Sequence, residues 1–384
     1  MTGRVIIMGS GELAPGLVAT HRAGIEASGA REVVILDTPY GFQENAPQLT
    51  RKLVDFFDTS LNIGSRVAEL GDRNASAVDR ERFVAAIIKA RYVFSGPGSP
   101  SYALDIWREA GVGGALRSVV LAGGTVTFAS AASLTLGRRA IPVYEIYKVG
   151  EPPRWLDGLD LMTDLGLPCV FVPHWNNTEG GNHDTSRCYI GERRLSLLER
   201  QLDVGIIGVD EHTAAVFDFG AGRCQVFGRG TVTLRGESEH VVDSGSSLNL
   251  DQVAKILGLP TPAPVLAASP PEEHSTFSDA IAAGDGDRIL QLLLEQETLA
   301  VHDEGVRRLF RSMLVEIVDI ARAGLRDPRT VIGAYVDLLL DLRERARSSG
   351  DYETADDVRD GLAKLGIEVR DSIGGFSWVF ADPE

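Results

Sequence analysis

At 384 residues the chain is longer than one hydrophobic core usually organises, so one large domain and at least one smaller one are expected. Its composition, 44% hydrophobic and 24% charged, is that of an ordinary globular protein, while a net charge of −16 at pH 7 argues against a general nucleic-acid or anionic-membrane surface. Three cysteines (Cys169, Cys188, Cys224) suit a reducing compartment better than a disulfide framework, and no apolar run has the length of a signal peptide or bilayer span, so a cytoplasmic location without membrane contact is expected.

Along the first half, short β-branched runs alternate with helix-length segments. VIIM (5–8) precedes a helix near 14–28 and VVIL (33–36) one near 44–58; YVF (92–94), SVVL (118–121) and Thr125 to Phe128 read as further strands. Strands apolar on both faces, alternating with helices, describe a parallel sheet covered on both sides, and such sheets bind ligands beyond their C-terminal strand ends. The chemically suggestive residues fall at those ends: Gly9-Ser10-Gly11-Glu12, Asp37-Thr38-Pro39, Ser95-Gly96-Pro97-Gly98, and His174 after CVFVP (169–173). GSGE is not a dinucleotide fingerprint, because Ala14 stands where the third glycine would be. It reads instead as a tight turn whose backbone N–H groups face a substrate carboxylate, with Gly11 and Glu12 as candidate contacts.

In GGTVTFASAASLTLG (123–137), Ser130 stands where a strand turns into a helix, the place of a hydrolase nucleophile, although Phe128 and Ala132 occupy the usual glycine positions. A serine hydroxyl needs a base and oxyanion donors. His174 is the candidate base, Glu211 in GVDEHTA the group that orients it, and the N–H groups of Ala131 and Gly98 the oxyanion hole. The alternative is that Ser130 merely caps its helix. PHWNNTEGGNHDTSRC (173–188) is dense in polar residues, and Asn176, Asn177, Glu179, His183 and Asp184 are candidate substrate contacts. His174, His183 and Asp184 could also offer two imidazoles and a carboxylate to zinc, but their spacing fits no compact signature, so neither metal nor cofactor is expected; a solvated loop without a task is the plain alternative. Arg193 and Arg194 are expected to form ion pairs.

Beyond 203, VGIIGVDEHTAAVFDF and CQVFGRGTVTL read as antiparallel strands completing a domain over residues 1–257, with a short helix at 250–257. The proline-rich stretch 258–276 reads as a linker, and 277–384 as a helical domain. There Val331, Tyr335, Leu338, Leu339 and Leu342 keep the spacing of a buried stripe, as do Ala355, Val358, Leu362 and Leu365 after a turn at 348–351. A terminal hairpin is expected, Ile367 and Val369 pairing across 371–375 with Phe376, Trp378 and Phe380.

The set IIMGSGE (6–12), VFSGPGSPSYAL (93–104), ASAASLTLG (129–137), PHW (173–175) with GERRL (191–195), and VGIIGVDEHTA (204–214) with FGRGTV (227–232) resembles the peptidase E and cyanophycinase group of serine peptidases. The resemblance implies a flavodoxin-like three-layer α/β sandwich of the class I glutamine amidotransferase type, with Ser130 as nucleophile and His174 as base. For the acid, Glu211 matches the peptidase E pattern, whereas Glu145 or Glu151 would match the cyanophycinase arrangement. It implies a hydrolase acting on a small peptide or amide; a non-catalytic ligand-binding protein of the same fold is the alternative. A second resemblance, over 331–378, is to the C-terminal end of bacterial cysteinyl-tRNA synthetases and implies contact with tRNA. Residues 276–384 carry 13 Lys+Arg against 22 Asp+Glu, a net of −9, which disfavours RNA and favours a protein contact such as homodimer formation.

Overall fold

The computed structural model describes residues 3–260, 272–300, 303–324, 328–372 and 375–380. The chain divides into two compact units, Met1–Val315 and Glu316–Glu384. Most of the expected linker, 261–271, lies outside the described residues.

In the first unit, five parallel strands form the centre: β1 (Arg4–Met8), β2 (Val33–Leu36), β3 (Ser65–Ala68), β4 (Tyr92–Ser95) and β5 (Thr125–Ala129). The ribbons β6 (Arg139–Ala140) and β7 (Leu156–Asp157) pair with each other. Then follow β8 (Cys169–Val172), β9 (Gly205–Val209), β10 (Thr213–Asp218), β11 (Arg223–Gly228), β12 (Thr231–Arg235), β13 (Glu239–Asp243) and β14 (Ser247–Asn249). An eight-stranded sheet runs β14-β11-β10-β1-β5-β4-β2-β3, and a second sheet runs β13-β12-β9-β8. Helices α1 (Val18–Ser28), α2 (Ala46–Leu61), α3 (Ala77–Ile88), α4 (Pro100–Ala110), α5 (Val112–Leu121), α6 (Ala131–Thr135), α7 (Leu161–Asp164), α8 (Glu192–Glu199) and α9 (Leu250–Ile256) connect them.

Alternation along the central strands supplies two cores. Val5, Ile7, Val34, Leu36, Val93, Val126 and Phe128 pack with α3, α4 and α5; Ile6, Met8, Val33, Ile35, Tyr92, Phe94 and Ala129 pack with α1 and α2. This is the three-layer α/β arrangement expected, completed by antiparallel β10, β11 and β14.

One strand reading is corrected and one strand was missed. SVVL (118–121) is the last turn of α5 rather than a strand, because Val112, Ala115, Leu116, Val119 and Val120 repeat at helical spacing and are all buried. The strand begins only after Gly123-Gly124. The edge strand β3 was not anticipated, since only Ala68 of its four residues is buried.

Helices α10 (Glu272–Ala283), α11 (Gly286–Ala300) and α12 (Glu304–Gly324) follow, the unit division falling within α12. The second unit continues with α13 (Pro328–Ser348), α14 (Tyr352–Lys364) and a hairpin of β15 (Ile367–Ser372) and β16 (Gly375–Phe380). In the hairpin Ile367 faces Phe380 and Val369 faces Trp378, the pairing expected. Asp351 caps α14 by accepting the Thr354 N–H at 3.1 Å. The stripe on α13 is corrected: the core takes Ile332, Val336 and Leu340 with Leu362, Ile367 and Val369, while Tyr335, Leu338, Leu339 and Leu342 are exposed. On α14 Ala355 and Leu362 are buried, but Leu365, just past its end, is exposed.

Candidate functional site

The ends of β5 and β8 and the turn between β9 and β10 supply the side chains that meet. Ser130 follows β5 with φ 53° and ψ −126°, a conformation that L-residues rarely adopt and that turns the chain sharply from strand to helix. The corner is held from several sides: Ser130 N–H donates to Met8 O at 3.0 Å, and Ser130 O accepts from Ser133 N at 3.0 Å and Ser133 Oγ at 2.6 Å. Phe128 is fully buried in the core covered by α3, α4 and α5, its ring 5.7 Å from that of Trp107, and Ala132 lies in the same core. The residues that replace the elbow glycines therefore point into packing and leave the corner open.

Ser130 Oγ lies 2.8 Å from His174 Nε2, and His174 Nδ1 lies 2.8 Å from Glu211 Oε1. Burial pushes the Glu211 carboxyl up, but hydrogen bonds from His174 and Asn177 outweigh it and hold the group below its ordinary value. An ionised carboxylate only accepts, so Nδ1 carries the proton and Nε2 keeps its lone pair for the Ser130 hydroxyl. Asn177, fully buried, donates through Nδ2 to Glu211 Oε1 at 2.9 Å, and Asn176 Oδ1 accepts the Glu211 N–H at 2.9 Å. Of these asparagines, both expected as substrate contacts, Asn177 thus holds the carboxylate behind the imidazole and Asn176 the backbone that carries it. Glu145 and Glu151 make other bonds, to Ser101 and Arg154.

Gly98 and Ala131 line the same cavity as Ser130 and His174. Ala131 opens α6, so its N–H has no helical acceptor. Gly98 has φ +149°, and a Cβ there would lie 2.0 Å from Pro39 O, so only glycine fits the turn. Gly11, at φ +68°, is likewise confined, a Cβ falling 2.1 Å from His212 Nδ1. Burial raises the Glu12 carboxyl above its ordinary value, against the opposing effects of its own backbone N–H, His174 and His212. Behind it, the fully buried His21 places Nε2 2.9 Å from Glu12 O and Nδ1 2.8 Å from Tyr92 Oη. Neither Gly11 nor Glu12 lines the cavity.

The cavity holds about 460 Å³, a size suited to a small ligand. Of the 173–188 loop it takes His174, Glu179 and Cys188. His183 instead stacks on Tyr147 with 6.1 Å between ring centres, and Asp184 spends its carboxylate on Ser186 and the Glu192 N–H. Among the described residues no group of three or more His, Cys, Asp or Glu is gathered as a metal would require.

Sequence reasoning missed Tyr144, Tyr147, Lys148 and Tyr189, which also line the cavity. The first three lie on or beside a π-turn, Glu145–Val149, an uncommon element often found at functional sites. Their signal was the run YEIYK shortly after the elbow. Tyr189 is delivered by three consecutive left-handed residues, Arg187, Cys188 and Tyr189, with φ 57°, 58° and 67°. Arg187 over-determines that turn: its guanidinium stacks 4.0 Å from the Trp175 ring, bonds Trp175 O at 2.8 Å and pairs with Glu192 at 2.7 Å. The result places the Tyr189 ring 5.3 Å from that of His174 and its hydroxyl on Glu179 at 3.2 Å.

Comparison with known proteins places the two parts of the chain separately. A crystal structure of a peptidase from an acI-B1 Actinobacterium superposes with TM-score 0.54 at 21% identity, covering 65% of this chain and 97% of that one. The N-terminal part shares that fold. Residues 331–378 match the family model of the cysteinyl-tRNA ligase anticodon binding domain. Curated relatives are cysteine-tRNA ligases: that of Phocaeicola vulgatus is 33% identical over 98 residues, 24% of this chain and 20% of the relative. That of Streptomyces coelicolor is 33% identical over 112 residues, 27% and 17% respectively. The chain thus spans about a fifth of the length of these relatives. Among the described residues no helix is long and apolar enough to cross a membrane.

Proposed function

We propose that the N-terminal unit is a cytoplasmic serine hydrolase that cleaves a peptide or amide bond in a small substrate without a cofactor. The observation that carries this reading is the Ser130–His174–Glu211 chain, two contacts of 2.8 Å at a left-handed strand-to-helix corner. Ser130 Oγ attacks the substrate carbonyl carbon as its proton passes to His174 Nε2. The oxygen that gains charge is met by the N–H groups of Gly98 and Ala131, while Glu211 stabilises the imidazolium through Nδ1–H. Collapse breaks the C–N bond, His174 returns the proton to the leaving amine, and water releases the acyl group from Ser130 by the same route. The peptidase fold of the similar structure is compatible with this chemistry but does not itself carry it. The test is labelling by a fluorophosphonate probe: wild type should label, and Ser130→Ala should not while keeping its circular dichroism spectrum. A wild type that does not react overturns the reading.

For the second unit we propose a protein contact rather than RNA binding. Residues 316–384 carry 9 Lys+Arg against 15 Asp+Glu, a net charge of −6 that repels phosphate, and Arg343, one of three arginines in RERAR, is buried. Retention of transfer RNA by the intact protein at moderate salt would reverse this choice.

A further inference from the structure

The carboxyl group of Glu145, at the start of the π-turn, bonds away from the histidine. Ser101 Oγ donates to Glu145 Oε1 at 2.5 Å, and Ser99 Oγ lies 3.0 Å from Ser101 Oγ. With the single Ser101 proton committed to the carboxyl, Ser99 must be the donor to Ser101. Ser99 Oγ also accepts the Tyr102 N–H at 3.2 Å as the cap of α4, and Ser99 N–H donates to Pro39 O at 2.7 Å. The protons therefore run one way, Ser99 to Ser101 to Glu145, and the first of these residues directly follows Gly98. Glu145 Oε2 is buried without a hydrogen-bond partner, an arrangement that costs stability and that Ser101 alone does not account for.

We propose that Glu145 is a positioning residue for the oxyanion hole: through Ser101 and Ser99 it fixes the Gly98 peptide so that its N–H faces the oxygen that develops charge. The inference rests on the reading of Ser130 as nucleophile. It also ties the cavity wall formed by Tyr147 and Lys148 to that peptide through the π-turn they share with Glu145.

The test is the kinetics of fluorophosphonate labelling of the full chain, resolved into kinact and KI. Glu145→Ala and Ser101→Ala should each lower kinact by about 10- to 100-fold, short of the roughly 10²–10³-fold lost when an oxyanion donor is removed outright, with KI within about twofold. Glu145→Gln, whose amide oxygen still accepts from Ser101, should recover kinact to within about threefold of wild type. Unchanged kinact in folded alanine variants overturns the proposal, as does a raised KI with kinact intact, which would make these residues part of the cavity wall. Should Glu145→Ala fail to fold, the half-buried Ser101→Ala decides alone. A wild type that does not label defeats the hydrolase reading; a wild type that labels alongside unaltered variants defeats this one.

Discussion

The corner around Ser130 and the helix α13 are both rich in apolar residues, yet the same reasoning located one and inverted the other. At the corner each neighbour has one place to go. Phe128 and Ala129 belong to a strand buried on both faces, so alternation sends the first to one core and the second to the other. On α13, VIGAYVDLLLDL (331–342) offers two apolar stripes a fraction of a turn apart, and a helix has no pleat to choose between them. The core took Ile332, Val336 and Leu340; the alternative stripe faces outward. A pattern specifies a face only where the opposite face is polar.

The comparison can be broken or sharpened by substitution. The largest effect is expected at the corner: Glu211→Gln should lower the fluorophosphonate labelling rate by about 10³-fold or more, because the imidazole loses the partner that sets its tautomer. A loss below tenfold would detach Glu211 from the chemistry. Phe128→Ala should then destabilise the first unit by about 3–5 kcal/mol in denaturant melts, since it empties the site beside Trp107. A small cost there would mean that the corner does not depend on the packing beneath it.

Acid should weaken the same region. The folded state lowers His21 from 6.5 to about 4, chiefly by burial, against the opposing bond to the Glu12 carbonyl. Between those values the unfolded chain holds a proton that the folded chain lacks, so stability falls as pH falls through that window, by on the order of 3 kcal/mol. Relative to wild type, His21→Phe combined with Tyr92→Phe should flatten the pH dependence of the melts; an unchanged slope would remove His21 as its source. In the tail, Leu340→Ala should cost about 2–4 kcal/mol while Leu338→Ala stays within about 0.5 kcal/mol, as their exposures of 0% and 58% require. Equal costs would show that the outward stripe is covered.

Much of this was legible in the sequence for identifiable reasons. Strand ends carrying Gly9–Glu12, Gly98, Ser130 and His174 stood out because each apolar run stopped at a glycine, a proline or a lone polar group. SVVL misled because β-branched content competed with a helical repeat, and the repeat won. The roles of Asn176 and Asn177 were hidden because a polar side chain in a loop can face ligand or protein, and only the path of the chain after Trp175 turns both toward Glu211. Tyr189 was hidden more deeply, since nothing in RCY announces three left-handed residues in succession.

That succession has a mechanical consequence. Each non-glycine residue on the left-handed side costs roughly 1–2 kcal/mol, so the run from Arg187 to Tyr189 acts as a wound spring whose catch is the Trp175 stack. Releasing the catch would let the backbone relax toward ordinary torsions and carry the phenol away from the imidazole. The place of Tyr189 in the cavity wall thus depends on a stack at Trp175, away from the reacting atoms.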